Sequence, residues 1–177
     1  MIHLTRITQS DDIRLKQLIS LYEEAFPPEE RRAIGQLSHL IDHNEAMFLN
    51  AIECDGDLAG LFIYWEMGSF YYLEHLAVFA HLRNKKIGEQ VLDFAAHALP
   101  GVRLLEVEPA DNEMATRRIN YYKRNGYEVL TQDYIQPSYA TAEDACALWI
   151  MGNEKPLHLE QHIERIKTEI YRKNICL

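Results

Sequence analysis

The sequence predicts an α/β protein with a mixed, mostly antiparallel central sheet of about six or seven strands, flanking helices and a C-terminal helix. Two strand-like segments are joined by Asp55-Gly56-Asp57, and an Asp-Gly step of this kind is typical of a tight hairpin. The segment from Phe70 to Phe79 carries apolar residues on both alternating faces, which is typical of a central strand. The strand, helix, strand order that follows predicts a right-handed crossover between two parallel strands.

Five elements are predicted ahead of that central strand. Residues 2–7 form a first strand, and Ser10-Asp11-Asp12 begin a helix that ends near Phe26-Pro27-Pro28. The apolar stripe of this helix comprises Ile13, Leu15, Leu18, Ile19 and Tyr22. A second helix is predicted to start at the two prolines, with Glu29 and Glu30 in its first turn, and to continue through Ile41. Strands at 47–54 and 58–67 form the hairpin.

Strict alternation along the central strand places Tyr72, Glu74, Leu76 and Val78 on one face, and Leu73, His75, Ala77 and Phe79 on the other. Helices are predicted at 86–99 and 112–125, strands at 103–108, 127–132 and 145–151, and a long loop at 133–143. A last helix at 157–171 repeats apolar residues at Leu159, Ile163, Ile166 and Ile170. We expect residues 1–151 to form one domain and 152–177 a helical extension, packed on the same domain or on a partner subunit in a possible homodimer.

Charge and composition narrow the possible partners. A net charge of −9 and a pI near 5.3 disfavour nucleic-acid binding. No segment approaches the ~20 apolar residues of a membrane span, and the N-terminus has no apolar signal core, so a cytoplasmic protein without membrane contact is expected. The cysteines form no CxxC pair, so neither a disulfide framework nor a metal site is expected. Seven of the eighteen Lys and Arg residues lie in two junctions, which favours a small polyanionic ligand: Arg83, Lys85, Lys86, Arg117, Arg118, Lys123 and Arg124.

Both junctions carry a recognisable motif. The strand of residues 73–78 leads through Arg83-Asn84-Lys85-Lys86-Ile87-Gly88 into a helix, and a later helix ends in Tyr122-Lys123-Arg124-Asn125-Gly126-Tyr127. These segments resemble the coenzyme A binding motifs of the GNAT family of N-acetyltransferases, in which a strand ending in Val precedes Arg/Gln-x-x-Gly-x-Gly/Ala and a later helix carries Tyr-x-x-x-Gly-Phe. The sequence departs from the first motif at Lys86, where a glycine is usual, and from the second in an extra turn between Asn112 and Tyr122. The resemblance covers about residues 1–151.

The resemblance implies that acetyl-CoA is the cosubstrate and lies between the strands of residues 70–79 and 103–108. Its pantetheine amides would pair with the main chain of Leu76, Ala77 and Val78, and a backbone N–H near Ala77 or Val78 would hold the thioester oxygen. The cofactor-binding loop and helix start that follow comprise Arg83, Asn84, Lys85, Lys86, Ile87, Gly88 and Glu89. A helix N-terminus of this kind presents unpaired N–H groups to a diphosphate.

Acyl transfer to an amine needs a base and benefits from an acid that protonates the leaving thiolate. Tyr122 is the candidate acid, because an inward stripe on its helix places the phenol one turn before the helix end. Glu74 is the candidate base, directly or through a water, because it interrupts an apolar strand face. His75 or a water alone are alternatives. Two structural interpretations stay open. Tyr122 is then a core tyrosine bonded to a carbonyl, and Glu74 forms an ion pair with a neighbour.

The resemblance therefore predicts an N-acetyltransferase that works by direct transfer to a primary amine, since no cysteine lies in either junction to carry the acyl group. The acceptor is left open. Glu106 and Glu108 share one strand face; they either attract a cationic amine or belong to an exposed strand end. Glu29 and Glu30 either border the acceptor pocket or, as is favoured, are ordinary complements of a helix dipole. The alternative is a non-catalytic acyl-CoA-binding sensor or interaction module of the same fold, which Lys86 in place of glycine favours.

Overall fold

A seven-stranded sheet of order β1-β2-β3-β4-β5-β7-β6 organises the protein. The structure is a computed structural model, and it describes residues 1–140 and 145–174. Every neighbouring pair of strands is antiparallel except β4 and β5, which are parallel, so the predicted mixed sheet is confirmed. The strands are β1 Ile2–Ile7, β2 Met47–Cys54, β3 Asp57–Glu66, β4 Phe70–Val78, β5 Val102–Val107, β6 Glu128–Gln136 and β7 Cys146–Gly152.

Helices cover both faces of this sheet. They are α1 Leu15–Ala25, α2 Ile34–His43, α3 Ile87–Ala98, α4 Glu113–Arg124 and α5 Leu159–Arg165, which continues into a π-helical turn at Ile166–Tyr171. One apolar cluster packs α1, α2 and the C-terminal segment against the sheet, and the other packs α3 and α4 against the opposite face. None of the helices that the structure describes is long and apolar enough to cross a membrane.

The prediction that the second helix begins at the two prolines is wrong. Pro28–Glu30 form a single 3₁₀ turn, the backbone at Arg31 is extended, and α2 begins only at Ile34. The extended segment carries Arg32 inward, where its side chain is 1% exposed and its N–H donates to Tyr22 Oη at 3.0 Å. The buried position of Arg32 therefore requires a break that helix propensity alone does not predict.

Two further boundaries differ from the predictions. Ile13 is 90% exposed and precedes α1, because Arg14 is held at the helix start by three hydrogen bonds to the Asp12 carboxylate. The loop predicted at 133–143 is wrong over its first residues, because β6 continues to Gln136. Tyr134 and Gln136 on this strand donate hydrogen bonds to the carboxylate of Glu106. Part of that predicted loop, residues 141–144, lies outside the described residues.

Strands β4 and β5 are paired only over their first four residues. Their register runs from Phe70 opposite Val102 to Leu73 opposite Leu105, after which β4 continues to Val78 along β3 alone. Phe79 N–H donates to Ala59 O, and hydrogen-bonded pairs alternate along antiparallel strands. The N–H and C=O groups of Leu76 and Val78 therefore face away from β3, toward the gap that opens beside β5.

A β-bulge lies where this gap begins. Tyr64 pairs with Leu73 and Ile63 pairs with His75, so Glu74 has no partner residue on β3. The bulge brings two successive side chains to one face, and His75 Nδ1 lies 3.9 Å from Glu74 Oε2. The predicted alternation is therefore wrong beyond Leu73: Glu74 and His75 share the face that α1 covers, while Leu76 and Val78 lie on the face of α3.

The C-terminal segment completes a buried polar network on the α1 face. Tyr171 Oη donates to Glu106 Oε2 at 2.7 Å and accepts from Gln136 Nε2 at 2.8 Å. Burial raises the pKa of Glu106, and the hydrogen bonds from Tyr134, Tyr171 and Gln136 offset part of that rise. The apolar residues Leu159, Ile166 and Ile170 belong to the same core cluster as α1.

We expect Tyr171→Phe to lower the free energy of unfolding by about 1–3 kcal/mol, because the buried Glu106 carboxylate loses a donor that nothing replaces. Urea denaturation followed by far-UV circular dichroism measures the change. Tyr64→Phe is the matched control, since Tyr64 is a buried residue whose hydroxyl makes no hydrogen bond within the described residues. Equal stability of the two variants would show that the network contributes nothing.

Candidate active site

The gap between β4 and β5 opens into a cavity of about 420 Å³, here called the deep pocket. Phe26, Glu30, His75, Glu106 and Tyr139 contribute to its walls, from β4, β5 and the segments that follow α1 and β6. Cavities that bind small molecules typically enclose about 300–1,000 Å³. Aromatic rings, carboxylates and two arginines, Arg83 and Arg118, share this lining, so the pocket suits a small organic ligand with polar groups.

A second cavity of about 540 Å³, here called the loop pocket, lies beside the loop between β4 and α3. Most of the residues predicted to bind coenzyme A line it: Leu76, Val78, Arg83, Asn84, Lys86, Ile87, Gly88 and Glu89. Lys85 does not, and Ala77 lines the deep pocket instead. The loop pocket also includes Arg118, Arg124, Leu82 and Tyr121. The two arginines belong to the helix-end charge cluster visible in the sequence, whereas Leu82 and Tyr121 carry no sequence signal for this role.

The two pockets are the ends of one cleft. Leu76, Val78, Arg83, Arg118 and Tyr122 line both of them. The junction therefore contains the main-chain edge of β4, two guanidinium groups and one phenol. A long ligand bound along the loop pocket would place its end at the mouth of the deep pocket.

The loop that borders the second pocket has an unusual backbone at Lys86. This residue precedes α3 and adopts a left-handed conformation with φ +58° and ψ +20°. Glycine adopts this conformation without steric cost, whereas an L-residue pays about 1–2 kcal/mol. Lys86 therefore holds the backbone as a glycine would, and the first turn of α3 keeps its orientation toward the pocket.

Gly88 permits a close contact between α3 and α4. A Cβ atom at this position would lie 2.6 Å from Tyr121 Oη. Both residues line the loop pocket, so the absence of a side chain at Gly88 also keeps the helix start open to a ligand.

Tyr122 lies on α4 at the junction of the two pockets. It follows the buried Ala115 and Ile119 on the inward stripe of the helix, and Asn112 caps the helix start by accepting from Ala115 N–H at 2.8 Å. Burial raises the pKa of Tyr122 to about 12. The phenol is therefore protonated throughout the physiological pH range and can donate a hydrogen bond or a proton at the junction.

Glu74 lies at the centre of a buried hydrogen-bond network. Its carboxylate forms an ion pair with Arg32 and accepts from Trp65 Nε1 at 2.8 Å and from Tyr139 Oη at 2.9 Å. Burial alone would raise the pKa of Glu74, but the charge of Arg32 and the hydrogen bonds from Trp65 and Arg32 together outweigh it, and the pKa lies below its usual value. The carboxylate is thus ionised and its side chain has no exposed surface.

A small cavity of about 10 Å³ separates the β4 bulge from α4. Glu74, His75 and Tyr122 contribute to its wall. A cavity of about this volume holds a single water molecule when polar groups surround it. The rest of its lining is apolar and comprises Phe62, Leu73, Leu76 and Leu92, so few polar groups are available there to hold a water.

The sequence profile of the Acetyltransferase (GNAT) family matches residues 13–127. That span contains β4 with its bulge, the loop before α3, and α4 with Tyr122. It covers more than half of the chain. The protein therefore belongs to the GNAT acetyltransferase family. No curated protein sequence matches the chain significantly.

Solved structures share the architecture. A GNAT-family protein from Bacteroides thetaiotaomicron is 33% identical, with 96% of this chain and 98% of that chain covered and a TM-score of 0.90. A GNAT acetyltransferase from Elizabethkingia anophelis with acetyl-CoA bound is 12% identical, with 87% and 98% covered and a TM-score of 0.58. The ribosomal-protein-S18-alanine N-acetyltransferase from Escherichia coli is 19% identical, with 86% and 92% covered and a TM-score of 0.58. At such identities the last two show the common fold alone.

Replacing Lys86 by glycine is expected to stabilise the protein. Glycine relieves the left-handed strain but loses more conformational entropy on folding. The net gain in the free energy of unfolding is about 0.5–1 kcal/mol. Urea denaturation measures this difference. Lys85→Gly is the control, because Lys85 is not among the residues with positive φ and should lose stability on the same change. A destabilised Lys86→Gly variant would mean that the lysine side chain, not the backbone, holds the loop.

Proposed function

We propose that the protein is an acetyl-CoA-dependent N-acetyltransferase that transfers the acetyl group directly to a primary amine in a ternary complex. The observation that carries the proposal is the single cleft in which Tyr122 and the free main-chain edge of Val78 meet. The loop pocket is suited to the nucleotide and pantetheine of the cosubstrate, and the deep pocket to the acceptor. That E. anophelis relative is described with acetyl-CoA bound, which supports this assignment of the cosubstrate.

Residues of the loop pocket are proposed to hold the diphosphate. The first N–H groups of α3 have no helical partner, and Arg83 and Arg124 add positive charge. The left-handed Lys86 keeps this backbone arrangement. The departure from the usual glycine therefore changes the side chain and not the fold of the loop, which supports coenzyme A binding by the enzyme and by the sensor alike.

Val78 is proposed to stabilise the reacting thioester. Its N–H faces the gap beside β5, because alternation along the β3–β4 pair directs the N–H of Ala77 toward Leu61. A fixed N–H donor at this position would stabilise the charge that develops on the thioester oxygen during attack. Of the two residues that the sequence analysis considered, Val78 is the one that the register supports.

The proposed transfer exchanges a carbon–sulfur bond for a carbon–nitrogen bond and moves one proton from nitrogen to sulfur. The amine nitrogen bonds to the acetyl carbonyl carbon, the carbon–sulfur bond breaks, and the nitrogen loses one proton while the sulfur gains one. Tyr122 donates the proton to the leaving thiolate and recovers one from solvent. The products are an N-acetylated amine and coenzyme A with a free thiol.

Glu74 is proposed to accept the proton of the amine through a water. The charge of Arg32 keeps the carboxylate ionised, yet Glu74 has no exposed side-chain surface for direct contact with an amine. Glu74 and Tyr122 both line the deep pocket, so the proposed relay is a water in that pocket.

We expect Tyr122→Phe to lower kcat about 100-fold with little change in KM for acetyl-CoA, because the phenol acts on the leaving group and not on the nucleotide. Thiol release by the purified protein with acetyl-CoA and a panel of amines measures both constants. Tyr64→Phe, a buried tyrosine outside both pockets, controls for the loss of a phenol elsewhere. Equal rates for Tyr122→Phe and the unmodified protein would remove Tyr122 from the mechanism. Binding of coenzyme A, measured by calorimetry, without turnover on any amine would favour the sensor.

The pH dependence of kcat tests the protonation state of the acid. Burial raises the pKa of Tyr122 to about 12, so the proton-donating form persists and kcat should not fall between pH 7 and 10. At saturating substrates, after subtraction of spontaneous thioester hydrolysis, the profile should rise or stay level across this range. A fall with a midpoint near pH 9 would contradict the assignment.

A further inference from the structure

Tyr121 lines the loop pocket, although the proposed transfer gives it no role. Its neighbour Tyr122 lines both pockets at their junction, whereas Tyr121 lines only the loop pocket of the two. Successive residues of an α-helix point about 100° apart, so the two phenols face different parts of one cleft. Their rings contact edge to face, with centroids 5.3 Å apart.

The hydroxyl of Tyr121 lies against the first turn of α3. A Cβ atom at Gly88 would lie 2.6 Å from Tyr121 Oη, which places this oxygen directly beside the turn. Gln90 N–H donates to Lys86 O at 3.1 Å, so the N–H groups of the three residues before Gln90 have no helical carbonyl to bind. Tyr121 Oη therefore lies next to the free donors at which the diphosphate is proposed to bind.

This hydroxyl has no hydrogen-bond partner within residues 1–140 and 145–174. In that part of the chain, the one side-chain oxygen that is both buried and unpartnered is Tyr127 Oη, so the oxygen of Tyr121 keeps surface that is open to the pocket. Burial of the ring raises the pKa of Tyr121, so the hydroxyl stays protonated at physiological pH and is available as a donor. An acceptor that arrives with a ligand would complement it.

The charges around the hydroxyl favour an anionic acceptor. Arg83, Lys86 and Arg124 line the same pocket and form no ion pair with any residue that the structure describes. Glu89 is the one carboxylate in the described lining. Glu89 and Arg124 both act on the Tyr121 phenol, the first raising its pKa and the second lowering it. An oxyanion beside this hydroxyl is thus opposed by one negative charge and favoured by three positive ones.

We infer that Tyr121 is a cosubstrate-binding residue whose hydroxyl donates a hydrogen bond to the diphosphate of acetyl-CoA. The inference rests on the proposed transferase function and adds to it a second tyrosine with a different role. Tyr122 acts on the departing sulfur, whereas Tyr121 acts on the nucleotide end and takes no part in the bond exchange. The hydroxyl thus makes the protein prefer a donor that carries the diphosphate over a thioester that ends at pantetheine.

Three donors that differ only in the nucleotide test the inference: acetyl-CoA, its 3′-dephospho form and S-acetylpantetheine. With one amine at a saturating concentration, Tyr121→Phe should raise the KM for acetyl-CoA about tenfold and leave kcat nearly unchanged. The reason is that a hydrogen bond to an ionised acceptor is lost from the ground state and the transition state alike. The same loss is expected with the 3′-dephospho donor, which keeps the diphosphate, whereas kcat/KM for S-acetylpantetheine should not change.

Calorimetry with coenzyme A tests the same contact without turnover. Tyr121→Phe should raise the Kd about tenfold, and Tyr122→Phe should not. Tyr64→Phe, from a buried tyrosine outside both pockets, controls for the loss of a phenol elsewhere. Thermal melting verifies that each variant is folded, and Tyr121→Phe retains the ring that contacts Tyr122.

An equal loss with all three donors would overturn the inference, because the hydroxyl would then hold α4 against α3 and not bind the nucleotide. A loss confined to acetyl-CoA would overturn it as well, since the contact would belong to the 3′-phosphate. Unchanged constants for Tyr121→Phe would also overturn it, and each of these three results leaves the transferase proposal in place. Unmodified protein that binds no coenzyme A would overturn both.

Discussion

The early separation of β4 from β5 is the constraint on which the rest of the cleft depends. Parallel strands in a sheet normally remain hydrogen bonded along their length, but here pairing ends at Leu73 and Leu105. Two pairs of helices cover the sheet around this gap, with α1 and α2 on one face and α3 and α4 on the other. The unpaired edge of β4 then offers main-chain groups to a ligand, where an ordinary sheet would have used them internally.

The bulge at Glu74 accounts for the polar character of the neighbouring core. It places two ionisable residues in succession on one face, and Arg32 enters from the segment before α2 to pair with Glu74. A buried ion pair of this kind is weak evidence for stability, because both charges lose their hydration. Its structural effect is clearer: Arg32 also donates to Ile170 O at 3.0 Å, so the α1–α2 connection, β4 and the C-terminal turn are held in one arrangement.

The sequence predicted the architecture well where the signal was local. Asp55 and Gly56 both have positive φ, as the hairpin signal requires, and the motif residues from Arg83 to Gly88 do flank a helix start. The predicted alternation failed at Glu74, because the bulge depends on pairing with β3 and cannot be detected in the hydrophobic periodicity of β4. The prediction of helix starts failed at Ile34, because burial of Arg32 is a tertiary effect. The roles expected of Tyr122 and Glu74 stay predictions, although both residues lie at the cleft.

The hydrogen bond from Tyr171 to Glu106 spans 65 positions of the chain. At synthesis rates of about 5–20 residues per second, β5 leaves the ribosome several seconds before the partner of its buried carboxylate does. The loop pocket is lined only by residues of the segment from β4 to α4. Its lining is therefore complete as soon as this segment has been synthesised. A nascent chain would thus complete the part that forms the loop pocket first, and the Glu106 network beside the deep pocket last.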